Sequence, residues 1–349
     1  MNPTKRTLRL RGKMLRLPPK PRVMRKAPDY DVERDGVTQS LLATWVNCRQ
    51  HAAYELDGWE SPGSKEALVF GSLWHWLLEQ AYAVLTTRMD RLGKMHPTEV
   101  GSAAYFGFAA SRWMKGHAGA VGDAELCERM LTWAEGLWEG YWRQWAGDLE
   151  LDFVGVESKF DVQWHGWRLR GMRDGLFRDG KGRLTLLETK TASRVDDDSL
   201  LLMLPVNFQV LYYLTACEAE GQTARRVLYN VVRKPQIKQG SQSLADYTDR
   251  IQQDVAARPD FYFHRYESVY TKRQIAAFQV ELAHKLHAFE DWHTHRAGHP
   301  CKRPQCARTY RNEAACVSRW RCPFLPACSA GGDMTGYTRT RRLFRELED

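Results

Sequence analysis

Hydrophobic and polar positions alternate with a period of two across roughly residues 153 to 191, and with a helical period on both sides of that stretch. Leu186, Glu188 and Lys190 alternate with Leu187, Thr189 and Thr191, so Glu188 and Lys190 share one face of a strand. Gly171–Thr191 reads as a hairpin closing on Asp179-Gly180-Lys181-Gly182, where glycine supplies the positive φ of a tight turn. A loop of Gly180–Gly182 sets Asp174 opposite Glu188. Phe153–Val162 predicts the strand before it, with Trp164-His165-Gly166-Trp167 turning into Arg168–Phe177. Arg225–Val232 predicts a further strand, and Pro259–Tyr266 an extended segment. Helices are predicted over Thr38–Asp57, Lys65–Leu85, much of 92–147, Asn207–Glu220, Asp246–Ala257 and Thr271–Arg296. Thr38 or Ser40 would cap the first of these. Arg194–Ser199, with Asp196, Asp197 and Asp198, reads as a solvated loop. Helices and strands mixed in this way indicate an α/β fold.

Composition adds partners and compartment. The chain has 349 residues, 43% of them hydrophobic, enough for a large core in one domain or two modest ones. Nothing approaches the roughly 18 consecutive apolar residues of a membrane helix, and the basic N-terminus lacks the apolar segment of a secretory signal. The expectations are no membrane and a cytoplasmic location. The net charge of +9 is concentrated at one end: residues 1–26 hold ten Lys/Arg and no Asp or Glu. With Pro3, Pro18, Pro19 and Pro21 this reads as part of a disordered basic arm over residues 1–36, serving solubility or gripping phosphates. Of eight cysteines, Cys301, Cys306, Cys316, Cys322 and Cys328 crowd near the C-terminus. Without a secretory signal this points to metal rather than disulfides. Cys127 and Cys217 read as core.

Two carboxylates and a lysine converging on one hairpin suit metal-assisted phosphodiester hydrolysis: oxygen ligands hold a hard divalent cation, and an ammonium orients water or steadies developing charge. The bland reading is a surface hairpin with scattered charges. At these residues the chain resembles a known family. Asp174 with Glu188-Thr189-Lys190 matches the D…(D/E)-x-K signature of the PD-(D/E)XK nucleases, and Gly171-x-x-Asp174 is similar to their RecB-like branch, with Arg173 before the aspartate instead of Pro. Gly71-x-x-x-His75 resembles that branch's first motif, although a lone histidine also fits a core position. Gln209-x-x-x-Tyr213 resembles the motif that follows its active-site strands, and Tyr229-Asn230-Val231-Val232-Arg233-Lys234-Pro235 looks like phage-type members. Ser40–Cys48 resembles the opening motif of RecB-like nucleases carrying an iron–sulfur cluster, with Arg49 where Pro often stands.

The resemblance implies a restriction-endonuclease-like core, a mixed central sheet flanked by helices, over residues 37–349. A helical insertion would fall at about 92–147 and a Cys-rich segment at about 299–330. It implies that Asp174, Glu188, the Thr189 carbonyl and His75 hold Mg2+ or Mn2+. Lys190 would activate water, Gln209 would orient the site or a phosphate, and Tyr213 would contact DNA. Cys48, Cys316, Cys322 and Cys328 would carry a [4Fe-4S] cluster; zinc, with His299, Cys301 and Cys306 also in reach, and unbound thiols are the alternatives. Glu157 fits a metal contact or a structural ion pair equally. Trp133, Trp138, Trp142 and Trp145 read first as packing, with base stacking as the sharper alternative. The activity implied is a metal-dependent DNA nuclease. It would most readily be an exonuclease acting on single-stranded DNA or free ends in phage or mobile-element DNA processing, with recombination or replication proteins as partners. The alternatives are a non-catalytic DNA-binding or assembly protein that keeps the fold, and an RNA-processing enzyme.

Overall fold

In the computed structural model, which describes residues 7–10, 13–16, 30–61, 66–87, 99–121, 123–298, 309–317, 321–340, 343–344 and 347, the chain divides into two units. One comprises residues 1–63 and 284–349, the other 64–283.

In the first unit, β1 (Thr7–Leu10) and β2 (Lys13–Arg16) pair as a short antiparallel hairpin within the stretch read as an arm. Asp31 caps α1 (Val32–Asp35), and Tyr30 and Val32 are buried. After β3 (Val37–Thr38), the Thr38 hydroxyl accepts the Leu41 N–H at 3.2 Å and starts α2 (Gln39–Asn47), as its residue type predicts. The helix expected to run on to Asp57 is interrupted at Cys48. Its backbone is extended (φ −157°, ψ 110°), and α3 (Arg49–Leu56) begins after it. β4 (Trp59–Glu60) follows.

The second unit is built around a mixed sheet. α4 (Glu66–Thr87), α5 (Ala103–Val121) and α6 (Ala124–Gln144) precede it. Three antiparallel strands come next: β5 (Asp152–Trp164), β6 (Trp167–Arg178) and β7 (Leu184–Ala192). The β6–β7 ladder pairs Gly175 with Leu187 through to Arg178 with Leu184, the register that the turn glycines dictate. α7 (Asp197–Met203) and α8 (Phe208–Ala219) then form the crossover to β8 (Arg226–Arg233), which lies parallel to β7 and sets Tyr229 beside Glu188. α9 (Leu244–Ala257) and α10 (Pro259–Tyr262) lead to β9 (Phe263–Val269), antiparallel to β8. Two local expectations are corrected here. Asp196 is not in a loop interior but accepts the Ser199 N–H and caps α7. Pro259 opens a helical turn instead of an extended run, because its fixed φ suits a first helical position. The apolar stretch Asp197–Ala219 has the length and composition of a membrane span but is broken at Leu204–Val206, and its α8 part is largely buried.

The helices pack through one aromatic core. Trp74 meets Trp138 and Tyr141 with ring centroids 5.9 and 5.5 Å apart, and Phe153, Phe177 and Leu187 join the same cluster from the sheet. Trp138 Nε1 donates to the Val100 carbonyl and Trp133 Nε1 to the Tyr247 hydroxyl, which fits the packing reading of these tryptophans. α9 approaches α6 at Gly136, where a methyl group would stand 2.5 Å from Ile251. Arg265 makes a bidentate pair with the buried Asp148, which also accepts the Tyr82 hydroxyl, so the charges at the β9 edge are matched.

The chain leaves this unit within α11 (Lys272–Gly298) and returns to the first through α12 (Glu313–Cys316), α13 (Leu325–Ser329) and β10 (Thr338–Arg339), which pairs with β4. Phe324, Ala327 and Met334 form a small core there with Tyr54 and Trp59.

Candidate active site

Four elements of the second unit bring titratable groups together. β6 supplies Asp174, β7 supplies Glu188, Thr189 and Lys190, α4 supplies His75, and β5 supplies Glu157. Asp174 is fixed by the hairpin register: its Oδ2 accepts the Thr189 N–H at 2.6 Å. The preceding Arg173 is almost wholly buried, forms an ion pair with Glu220, and lies 4.6 Å over the Phe160 ring. It thereby anchors β6 to the end of α8. Gly71, one turn before His75, faces β7, where a methyl would make an ordinary contact with Thr191 Oγ1 at 3.4 Å.

His75 Nδ1 lies 3.4 Å from Glu157 Oε1 and 3.6 Å from Asp174 Oδ1. The donor atoms of His75, Glu157 and Asp174 all fall within 4.8 Å of one another. Glu157 reaches them from an unusual backbone. Its φ is 41°, a left-handed value in the middle of a strand, between the Val156–Gly175 and Ser158–Arg173 pairs. Beside this group, Glu188 is fully buried. Its Oε1 pairs with the Lys190 ammonium, and its Oε2 has no hydrogen-bond donor among the described residues. On α8, Gln209 Nε2 donates to the Tyr213 hydroxyl at 3.1 Å.

The electrostatics follow from crowding acids in a desolvated place. Burial pushes Glu188 up to about 7, and the neighbouring Asp174 charge adds to the effect. Burial likewise raises Asp174 and Glu157. Burial works to lower His75, but the Asp174 charge and the Glu157 hydrogen bond prevail and lift it to about 9. Lys190 is moved the same way: desolvation is outweighed by Glu188 and Asp174, which hold it protonated. Burial and the Glu188 charge raise Tyr213, which ties its hydroxyl electrostatically to the same centre.

This donor set fits a hard divalent cation. It offers carboxylate oxygens and one imidazole, and Glu188 brings a buried Oε2 without a donor among the described residues. The structure thus groups His75, Asp174, Glu188, Thr189 and Lys190, with Gln209 and Tyr213 adjoining on α8. It also draws Glu157 into the group, which spacing alone left open. Tyr229, the first residue of the phage-type phrase and given no site role from sequence, stands beside Glu188 and is raised by burial while Lys190 opposes the shift.

The cysteines belong to the other unit. Cys48 is buried at the α2–α3 break, Cys316 ends α12, Cys322 precedes α13 and Cys328 lies within it. The thiols sense one another's charge: Cys322 and Cys48 raise both Cys316 and Cys328, after burial. The Cys322 N–H donates to the Cys316 carbonyl at 3.1 Å, and Cys322 Sγ is 3.9 Å from His51 Nδ1. Cys301, Cys306 and His299 lie outside the described residues. Cys127 and Cys217 are buried in the other unit, in keeping with core positions.

A family model described as the PD-(D/E)XK nuclease superfamily matches residues 36–329. No curated protein matches. Among solved structures, a crystal structure of SSO0001 is similar at 15% identity, covering 52% of this chain and 70% of that one. Its TM-score of 0.25 is too low to bear on fold or function.

Proposed function

Because the chain belongs to the PD-(D/E)XK nuclease superfamily, we propose that the centre formed by His75, Glu157, Asp174, Glu188 and Lys190 hydrolyses phosphodiester bonds of DNA with Mg2+ or Mn2+. The observation that carries this is the meeting of three metal-ligating groups within 4.8 Å beside a buried carboxylate paired with an ammonium. When bound, the cation supplies Lewis acidity toward a phosphoryl oxygen and lowers the pKa of water.

The residues of the chain have distinct tasks in this reading. His75, Glu157, Asp174, Glu188 and the Thr189 carbonyl are the ligands available to the cation. Lys190 stays charged between Glu188 and Asp174, so it acts as a cation that orients water and stabilises developing negative charge, not as the proton acceptor. Gln209 fixes the Tyr213 hydroxyl toward a phosphate or the neighbouring backbone of the substrate.

The finer reading rests on the RecB-like motifs. It is an exonuclease acting on single-stranded DNA or free ends in the cytoplasm, in phage or mobile-element DNA processing, alongside recombination or replication proteins. The four thiols of the first unit, where Cys322 and Cys48 both act on Cys316 and Cys328, fit a [4Fe-4S] cluster by donor chemistry, since four cysteinates are its usual ligands. The cluster would join residue 48 to residues 316–328.

The test is cleavage of end-labelled linear single- and double-stranded DNA with Mg2+ or Mn2+. Glu188→Ala and Lys190→Ala should each abolish cleavage while the far-UV spectrum and DNA binding survive. Undiminished cleavage in both overturns the assignment. DNA binding with no turnover in the native chain would favour a non-catalytic role.

A further inference from the structure

The end of the sheet away from Lys190 holds a second gathering of cations, unused by the chemistry above. Arg178 ends β6, Arg183 precedes β7, and Arg225 and Arg226 stand at the start of β8; all four line one cleft of about 620 Å³. Among the described residues, no acidic side chain lines it. Asp179 and Glu267 hold Arg183 and Arg226 from outside the lining, at 2.7 and 3.1 Å. Arg178 Nη1 donates to the Gly182 carbonyl at 3.3 Å, which fixes one edge of its guanidinium. Arg225 is different: its Nε is buried and has no hydrogen-bond partner among the described residues. Four guanidinium groups against two flanking carboxylates leave an excess of positive charge, and one buried donor there lacks an acceptor. Planar guanidinium forks match the paired oxygens of a phosphate, as they do those of a carboxylate.

The rim is apolar. Val154 and Val269 line the same cleft and are both about half exposed, at 47% and 58%. Val154 is turned out by the irregularity in the β5–β6 ladder between Phe153 and Gly155. A bare inorganic anion has no use for such a rim, whereas a sugar or base attached to the phosphate can cover it. The cleft is also remote from hydrolysis, because Leu184 at its edge precedes Glu188 by four strand residues, about 13 Å.

We infer that this arginine cleft binds the phosphate of a nucleotide unit, either in a polynucleotide or as a free nucleotide, separately from the site of cleavage. The test uses the full chain without divalent metal, titrated with dAMP and with a labelled single-stranded oligonucleotide, in a Lys190→Ala background so that the catalytic ammonium does not contribute. The Arg178→Gln/Arg225→Gln pair should lower dAMP affinity at least about tenfold, the scale of a charged hydrogen bond. Arg178→Gln alone, at an exposed position, should lower it several-fold and guards against misfolding of the pair. Displacement of dAMP by the oligonucleotide identifies a polynucleotide as the source; oligonucleotide binding that leaves dAMP in place identifies a free nucleotide. Titrations unchanged in the folded variants, or no dAMP binding before the arginine substitutions, overturn the inference.

Discussion

His75 Nδ1 and Glu157 Oε1 stand 3.4 Å apart, and Glu157 makes this contact from a left-handed backbone, φ 41°, inside a thirteen-residue strand. Such a conformation costs a non-glycine residue on the order of 1–2 kcal/mol. Glu157→Gly should therefore leave the folded protein as stable or more stable by about 1 kcal/mol, while Mn2+ affinity falls at least about tenfold. Urea unfolding and Mn2+ titration of the same variant check both halves. Lost stability with unchanged affinity would return Glu157 to a structural ion pair.

The raised His75 and Glu188 give a signed pH dependence. Both are raised in the folded state, to about 9 from 6.5 and to about 7 from 4.5. The folded metal-free protein therefore holds more protons than the unfolded chain across these windows, and its stability declines as pH rises from about 4.5 to about 9. A cation needs the same groups deprotonated, so its binding should strengthen with pH over that range and release protons near pH 7. Calorimetry in buffers of different ionisation enthalpy counts the protons. Binding that releases none excludes His75 and Glu188 as ligands.

How far the sequence reveals this arrangement differs from residue to residue. The hairpin was legible because Gly182, at φ 71°, and Asp179, accepting the Lys181 and Arg183 N–H groups, fix the turn, and a period of two then fixes every pair from Gly175–Leu187 to Arg178–Leu184. That register brings Asp174 to Thr189. The helix break at Cys48 was not legible: neither glycine nor proline marks it, and the apolar period of α2 runs on into α3. Nor was the backbone of Glu157, because glutamate carries no signature for positive φ. The arginine cleft escaped for a related reason. Arg178, Arg183, Arg225 and Arg226 look like ordinary strand-end charges until the parallel pairing of β7 with β8 gathers them.

Two glycines near the centre should respond differently to the same change. A methyl at Gly171 would lie 2.5 Å from the Phe160 ring, whereas one at Gly71 makes an ordinary contact with Thr191. Gly171→Ala should cost about 1–3 kcal/mol through overpacking, and Gly71→Ala much less. Chemical denaturation of both, with Phe160→Leu added to Gly171→Ala as a rescue, separates steric crowding from backbone effects.

Ten cations in residues 1–26 predict strong salt sensitivity of DNA binding. Removing those residues should weaken binding at low salt and flatten the dependence of affinity on salt concentration, with cleavage of saturating substrate retained. An unchanged salt slope would assign the arm to solubility.

The cysteines make the last prediction. Cys48 lies some 270 residues before the other three thiols, yet it acts with Cys322 on Cys316 and Cys328 within one unit, with His51 close to Cys322. A group bound by all four closes a very long loop, and cross-links of that kind contribute about 3–5 kcal/mol. Anaerobically purified protein should be brown, with broad absorbance near about 400 nm and iron and sulfide in equal amounts. Cys48→Ser and Cys328→Ser should each remove the colour and lower stability by about that much. His51→Ala should keep the colour while shifting the cluster's reduction potential, because it removes a neighbour of the Cys322 sulfur. Colourless protein with stoichiometric zinc would replace the cluster with a single-ion site, and colourless protein without metal would leave the thiols unbound.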